Sequence, residues 1–91
     1  MVAAMWEVSL KKTAVKDSEK VRQAGLRAKV DEILDILEKD PYGIPPRCEK
    51  LVGELSGLFS RRITNKHRLV YEVVPESREI IVYRMFSHYG E

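Results

Sequence analysis

The sequence holds one cysteine, Cys48, so no internal disulfide can form. Together with His67 and His88 it makes too small a set for the usual Cys/His metal site, and no metal or other cofactor is expected. No apolar run approaches the about 20 residues that a membrane span needs. Nor does a basic stretch followed by an apolar one open the chain, so neither a membrane nor a secreted protein is expected. A lone thiol suits the reducing cytoplasm of a cell. Excess charge is also scarce. Sixteen Lys and Arg stand against 14 Asp and Glu, a net charge of +2, which excludes a chain that coats a polyanion by charge alone. Only four Pro and five Gly occur among 91 residues, and with 44% hydrophobic and 33% charged residues the chain is neither disordered nor of low complexity. The length leaves room for one small domain over residues 1–91.

Charge is spread unevenly. Residues 1–40 balance eight basic against eight acidic side chains. Between Arg47 and Arg68, six basic residues (Arg47, Lys50, Arg61, Arg62, Lys66, Arg68) face only Glu49 and Glu54, which predicts a local basic patch.

Trp6 to Leu10 alternates apolar and polar residues, the period of a short strand with one buried face. A polar helix follows, capped by Thr13 or a neighbour and running to about Ala24, with Gly25 supplying the backbone that ends it. Leu26, Val30, Ile33, Leu34 and Leu37 then fall at helical spacing, one apolar stripe down a second helix that Asp40 and Pro41 stop. Pro41 to Pro46 reads as a loop, and Val52 to Gly57 as a second link. Three strands close the chain, Leu58–Thr64, His67–Val74 and Glu79–Ser87, joined by a tight turn at Asn65-Lys66 and a longer one at Pro75–Arg78. The order gives an α+β fold: a short strand, two helices, and a three-stranded antiparallel meander with the helices on one face. The other face should stay partly open, and there Arg68, Val70 and Glu72 point one way while His67, Leu69, Tyr71 and Val73 point the other.

The second half gathers Glu49, Arg61, Arg62, His67, Arg68, Arg84, His88 and Tyr89, several of which a meander would bring together. A carboxylate, an imidazole and guanidinium groups at one surface are the parts that cleave RNA. A base takes the 2′-hydroxyl proton, a cation meets the charge at phosphorus, and an acid protonates the leaving 5′-oxygen. Each part also has a plain reading. Glu49 in a loop is most simply a solvated charge, and His67 beside a turn a structural histidine. Adjacent Arg61 and Arg62 point to opposite faces of a strand, so one of them is decoration or an ion-pair partner. Taken alone, the residues favour a nucleic-acid-binding or protein-binding module over an RNA-cleaving enzyme.

Longer motifs add to this. Pro45-Pro46 through Glu49-Lys50-Leu51, Leu55-Ser56-Gly57, Ser60-Arg61-Arg62-Ile63, His67-Arg68-Leu69-Val70-Tyr71 and His88-Tyr89 resemble the YoeB/Txe family of bacterial toxins. That family lies within the RelE-like group of ribosome-dependent mRNA endonucleases, and the likeness runs over nearly the whole chain. The resemblance implies a RelE-like, microbial-RNase-like fold and metal-independent cleavage that leaves a 2′,3′-cyclic or 3′-phosphate and a 5′-hydroxyl. It places Glu49 as general base, Arg68 as the residue stabilising the scissile phosphate, His88 as general acid and Tyr89 as an aid to substrate placement. Arg61, Arg62, Lys50, His67 and Arg84 are the expected RNA contacts. The base must be ionised and the acid protonated near neutral pH, and a guanidinium nearby opposes protonation of His88. Messenger RNA held in the A site of the 70S ribosome would relieve that conflict, so full activity is expected only there. The resemblance further implies a YefM/Axe-type antitoxin with a flexible acidic segment, a toxin homodimer and a bacterial cytoplasmic setting. Several relatives end at the His-Tyr pair, whereas here Gly90-Glu91 follow; residues 1–4 precede the first strand without an assigned role. The competing readings are a non-catalytic RelE-like binder, either a gyrase inhibitor or an antitoxin-dependent co-repressor, and an RNase independent of the ribosome.

Overall fold

The computed structural model describes residues 5–42, 48–51 and 57–87. His88 and Tyr89, residues 1–4, Gly90-Glu91, and most of the two expected loops lie outside them. Within the described residues the order is β1 (Glu7–Leu10), α1 (Lys12–Gln23), α2 (Arg27–Lys39), β2 (Cys48–Lys50), β3 (Phe59–Arg62), β4 (Arg68–Val74) and β5 (Glu79–Ser87). The strands form one mixed sheet in the order β1-β5-β4-β3-β2. The expected meander of β3, β4 and β5 is antiparallel throughout. It is flanked on one side by β1, parallel to β5, and on the other by β2, antiparallel to β3. No helix among the described residues is long and apolar enough to cross a membrane.

Beginning directly after β1, α1 corrects the expected cap. Lys11 is its N-cap residue and provides no side-chain hydrogen bond. The Thr13 hydroxyl instead donates to the Tyr83 carbonyl at 2.7 Å, tying the first turn to β5. The far end behaves as read. Gly25 takes φ +75°, its N–H donates to Arg22 O, and the Leu26 N–H donates to Val21 O, the paired bonds that close a helix through a left-handed residue. In α2 the stripe is buried at Val30, Ile33 and Leu37, with Leu26 and Leu34 packed beside it. These residues meet Leu69, Tyr71, Ile80, Val82 and Met85 of the sheet in one apolar cluster.

Strand β2 was not foreseen: Cys48–Lys50 follows the Pro-rich loop with no element expected there, yet it pairs with β3 from Cys48↔Arg61 to Lys50↔Phe59. The turn between β3 and β4 has Asn65 and Lys66 at its tip, as read. Both strands are shorter than expected there, because the Thr64 hydroxyl accepts the Lys66 and His67 N–H groups and holds the chain in a turn.

Arg61 departs most from expectation. Expected at the RNA surface, it is 0% exposed. Its Nε donates to the Tyr71 hydroxyl at 3.0 Å and its Nη2 to the Pro41 carbonyl at 2.8 Å, while Tyr71 Oη donates to that same carbonyl at 2.9 Å. Register explains the side on which it lies. Arg61 pairs with Leu69 and its neighbour Phe59 with Tyr71, so the alternation that turns Arg62 outward turns Arg61 toward the helices. A guanidinium can be buried only where its donors are satisfied, and the Pro41 carbonyl at the end of α2 provides that acceptor.

Two stability predictions follow from this packing. A Cβ at Gly25 would meet nothing within 4 Å, so the cost of Gly25→Ala is purely conformational. It should lower stability by about 1 kcal/mol, a drop in Tm of about 4–8 °C in thermal unfolding; an unchanged Tm would contradict the left-handed turn. In urea unfolding, Arg61→Ala should cost about 3 kcal/mol through the cavity and the donors lost to the Tyr71 hydroxyl and Pro41 carbonyl, which keep their bond to each other, while Arg62→Ala stays within about 0.5 kcal/mol. Equal effects from the two would contradict the burial of Arg61.

Candidate functional site

The face of the sheet turned away from the helices is organised by register. Glu49 of β2 lies opposite Ser60 of β3, Ser60 lies opposite Val70 of β4, and one step along Arg62 lies opposite Arg68. Adjacent strands are about 4.8 Å apart, so Glu49 and Arg68, with β3 between them, meet only by extending across it. They do so: Arg68 Nη1 donates to Glu49 Oε1 at 3.0 Å. Both side chains keep contact with solvent, at 23% exposure for Arg68 and 42% for Glu49.

Arg62 is exposed and has no ion pair among the described residues. Placed directly across from Arg68, it forms a like-charge pair that a sheet tolerates poorly unless an anion comes between. Two guanidiniums and one carboxylate thus leave a local positive excess beside a potential proton acceptor. The same end of β4 brings in the last strand: Ser87, the residue before His88, pairs with Arg68. His67 is half-buried, and its ring stacks on Phe86 with centroids 3.8 Å apart and planes at 15°. Further along the same strands the Tyr83 hydroxyl donates to Glu72 Oε1 at 2.8 Å. That bond holds the phenol above its ordinary pKa of 10, with burial and the carboxylate charge adding in the same direction.

Several expected contacts point elsewhere. Lys50 is exposed, but its register with Phe59 sets it on the face opposite Glu49. Arg84 turns to α1, where its Nε donates to Asp17 Oδ2 at 2.8 Å. Arg61 is inside. The arrangement therefore joins Glu49, Arg68 and Arg62 and separates Lys50, Arg61 and Arg84 from them, while His67 stacks on Phe86, which packs against the core. His88 and Tyr89 fall outside the described residues. Among those described, no three His, Cys, Asp or Glu side chains gather as a metal group.

Asp17 escaped the reading of the sequence. It is 2% exposed, and besides Arg84 its Oδ2 accepts the Met85 and Phe86 N–H groups at 3.1 and 3.3 Å. Consecutive strand amides ordinarily point to opposite sides, so two of them converging on one carboxylate demands the irregular register seen between β4 and β5 near Val70. The signal was present: Ala14, Asp17 and Val21 form the buried spacing of α1, and an acid on that stripe must have a partner. Asp17 sets the course of β5 just before His88.

Comparison with known proteins agrees with this geometry. Residues 11–89 match the family described as YoeB-like toxin of bacterial type II toxin-antitoxin system. A curated relative, Toxin YoeB of Streptomyces coelicolor, is 33% identical over 61 residues, which span 67% of this chain and 70% of that protein. The YoeB dimer from Staphylococcus aureus superposes with a TM-score of 0.80 at 28% identity, covering 96% of this chain and 100% of that one. The YoeB–YefM complex from Staphylococcus aureus gives a TM-score of 0.78 at 28% identity, covering 92% and 98%. With a family match across nearly the whole chain and the same fold in solved relatives, the protein belongs to the YoeB-like toxins of bacterial type II toxin–antitoxin systems.

Proposed function

We propose that the chain is a ribosome-dependent mRNA endonuclease whose cutting centre is built on the Glu49–Arg68 pair. The observation that carries the reading is the bridge itself: a partly exposed carboxylate held 3.0 Å from a guanidinium on an open sheet face, with Arg62 opposite. In this scheme Glu49 accepts the proton of a ribose 2′-hydroxyl, and the 2′-oxygen forms a bond to the adjacent phosphorus. Arg68 turns from Glu49 to the phosphoryl oxygens and meets the charge that develops there. The bond from phosphorus to the 5′-oxygen breaks, and His88 gives that oxygen a proton. The products are a 2′,3′-cyclic phosphate, open to hydrolysis to a 3′-phosphate, and a 5′-hydroxyl. One proton passes from the RNA to Glu49 and another from His88 to the RNA, so the scheme calls for no metal.

Tyr89 is assigned to substrate placement, and Arg62 and His67 to contacts with the RNA. Support for His88 is its position in the chain, next to the residue that pairs with Arg68. A net charge of +2 offers few phosphate contacts for holding RNA unaided, which favours mRNA already positioned in the ribosomal A site of a bacterial cytoplasm. The YoeB–YefM complex and the YoeB dimer among the solved relatives support an antitoxin of YefM type and a homodimer for this chain too.

The test is 5′-end mapping of a short mRNA programmed on 70S ribosomes, with the wild type and its Glu49→Ala, Arg68→Ala and His88→Ala variants, beside naked RNA. Cuts at the A-site codon by the wild type alone are expected, with single-turnover rates lowered by orders of magnitude in all three variants and antitoxin affinity nearly unchanged. Wild-type rates in the variants would contradict the assigned roles. Equal cutting of naked RNA would make the protein an autonomous RNase. No cutting by a folded wild type would leave a non-catalytic binder.

A further inference from the structure

Ser60 is the one described residue at the Glu49–Arg68 bridge whose polar group is left unmet. It is 1% exposed, and its hydroxyl has no hydrogen-bond partner among the described residues. A buried unpaired hydroxyl lowers stability, and such groups in native proteins call for an explanation. Its place suggests one. Ser60 sits directly opposite Glu49 in the β2–β3 register, where facing Cβ atoms are about 4.5–5.5 Å apart. The ion pair from Glu49 to Arg68 passes over β3 beside it.

The proposed cleavage requires an exchange at this point. When Arg68 swings to the phosphate, the Glu49 carboxylate loses the donor that orients it just as it must face a 2′-hydroxyl. By register the charged groups of the described open face are Glu49, Arg62, Arg68 and Glu72, with Glu79 and Glu7 on the strands beyond. The two arginines are drawn to the incoming phosphate, Glu72 accepts from the Tyr83 hydroxyl, and Glu79 and Glu7 lie beyond it on β5 and β1, so none of them replaces the lost donor. We infer that the Ser60 hydroxyl is a reserve donor for Glu49, idle while Arg68 holds the carboxylate and engaged when Arg68 transfers to RNA. This rests on the nuclease reading. Ser60 acts through Glu49 and is a positioning residue; it touches neither the phosphate nor the leaving oxygen.

The inference makes stability and activity move independently. Ser60→Ala removes an unmet polar group with little loss of volume, so its Tm should equal or exceed that of the wild type. Its single-turnover cleavage of A-site mRNA at saturating toxin should fall about tenfold, the scale of one hydrogen bond to a charged group, while the toxin concentration for half-maximal rate stays unchanged. Ser60→Thr restores the hydroxyl and should regain most of the rate. Three results would overturn the inference: a Ser60→Ala Tm several degrees lower, which means the hydroxyl is already bonded in the free fold; a wild-type rate in Ser60→Ala; or a Ser60→Thr that is folded yet as slow as Ser60→Ala. Running wild type and Glu49→Ala in parallel separates the two levels. If wild type cuts and Glu49→Ala does not, failure at Ser60 concerns Ser60 alone. If wild type does not cut, the nuclease reading falls and the reserve-donor role falls with it.

Discussion

A buried guanidinium holds the two halves of this fold together. Arg61 rises from β3 toward the helices and, with the Tyr71 hydroxyl, converges on the Pro41 carbonyl where α2 has just ended. Proline makes that anchor effective, since its ring fixes the backbone and the chain there cannot continue a helix. From this point the chain leads to β2, the three-residue edge strand that carries Glu49. An edge strand so short has little pairing of its own, and its placement depends on the strand beside it. The arginine expected to touch RNA thus lies inside, on the strand that pairs with the one carrying the proposed base.

A second buried charge does the corresponding work at the other end of the sheet. Asp17 reaches from α1 to gather Arg84 and two consecutive β5 amides, forcing the irregular register that aligns Ser87 with Arg68. Both devices pair a charge from one layer with backbone groups of the other, which apolar packing cannot do with the same directionality. Between them the open face receives Glu49 from one edge and the end of β5 from the other, with Arg62 and Arg68 in the middle. That geometry suits the proposed centre, in which a base on β2 and a cation on β4 come to one phosphate.

Much of this was legible in the residues. The stripe from Leu26 to Leu37 and the alternating strands of the meander carry strong periods, and Gly25 marks a turn only a left-handed residue completes. The pairing of Glu49 with Arg68 was approachable from the reading that Arg68, Val70 and Glu72 share one face of β4, though which face is open had to come from the structure. What escaped depends on partners distant in sequence. Cys48–Lys50 has no strand pattern of its own and becomes one through β3. Alternation says that Arg61 and Arg62 part ways, but which of them goes inside is decided by the Phe59–Tyr71 and Arg61–Leu69 register. Thr13 looked like a cap and is a tether to β5, because α1 follows β1 without a loop in which a cap could form. Arg61, Lys50 and Arg84 stood beside the motif residues as expected RNA contacts, and only three-dimensional placement sets those apart.

The central claim is that Glu49 and Arg68 activate a ribose hydroxyl of the RNA itself as the nucleophile. The most direct measurement replaces a single 2′-hydroxyl by hydrogen at the nucleotide 5′ to the mapped cut, in an mRNA otherwise unchanged and programmed on the ribosome. The account predicts that this one substitution abolishes cutting at that bond while an all-ribose control is cut to a cyclic phosphate and a 5′-hydroxyl. Cutting of the substituted strand at the control rate would mean that water attacks, and the roles given to Glu49 and Arg68 would have to be abandoned.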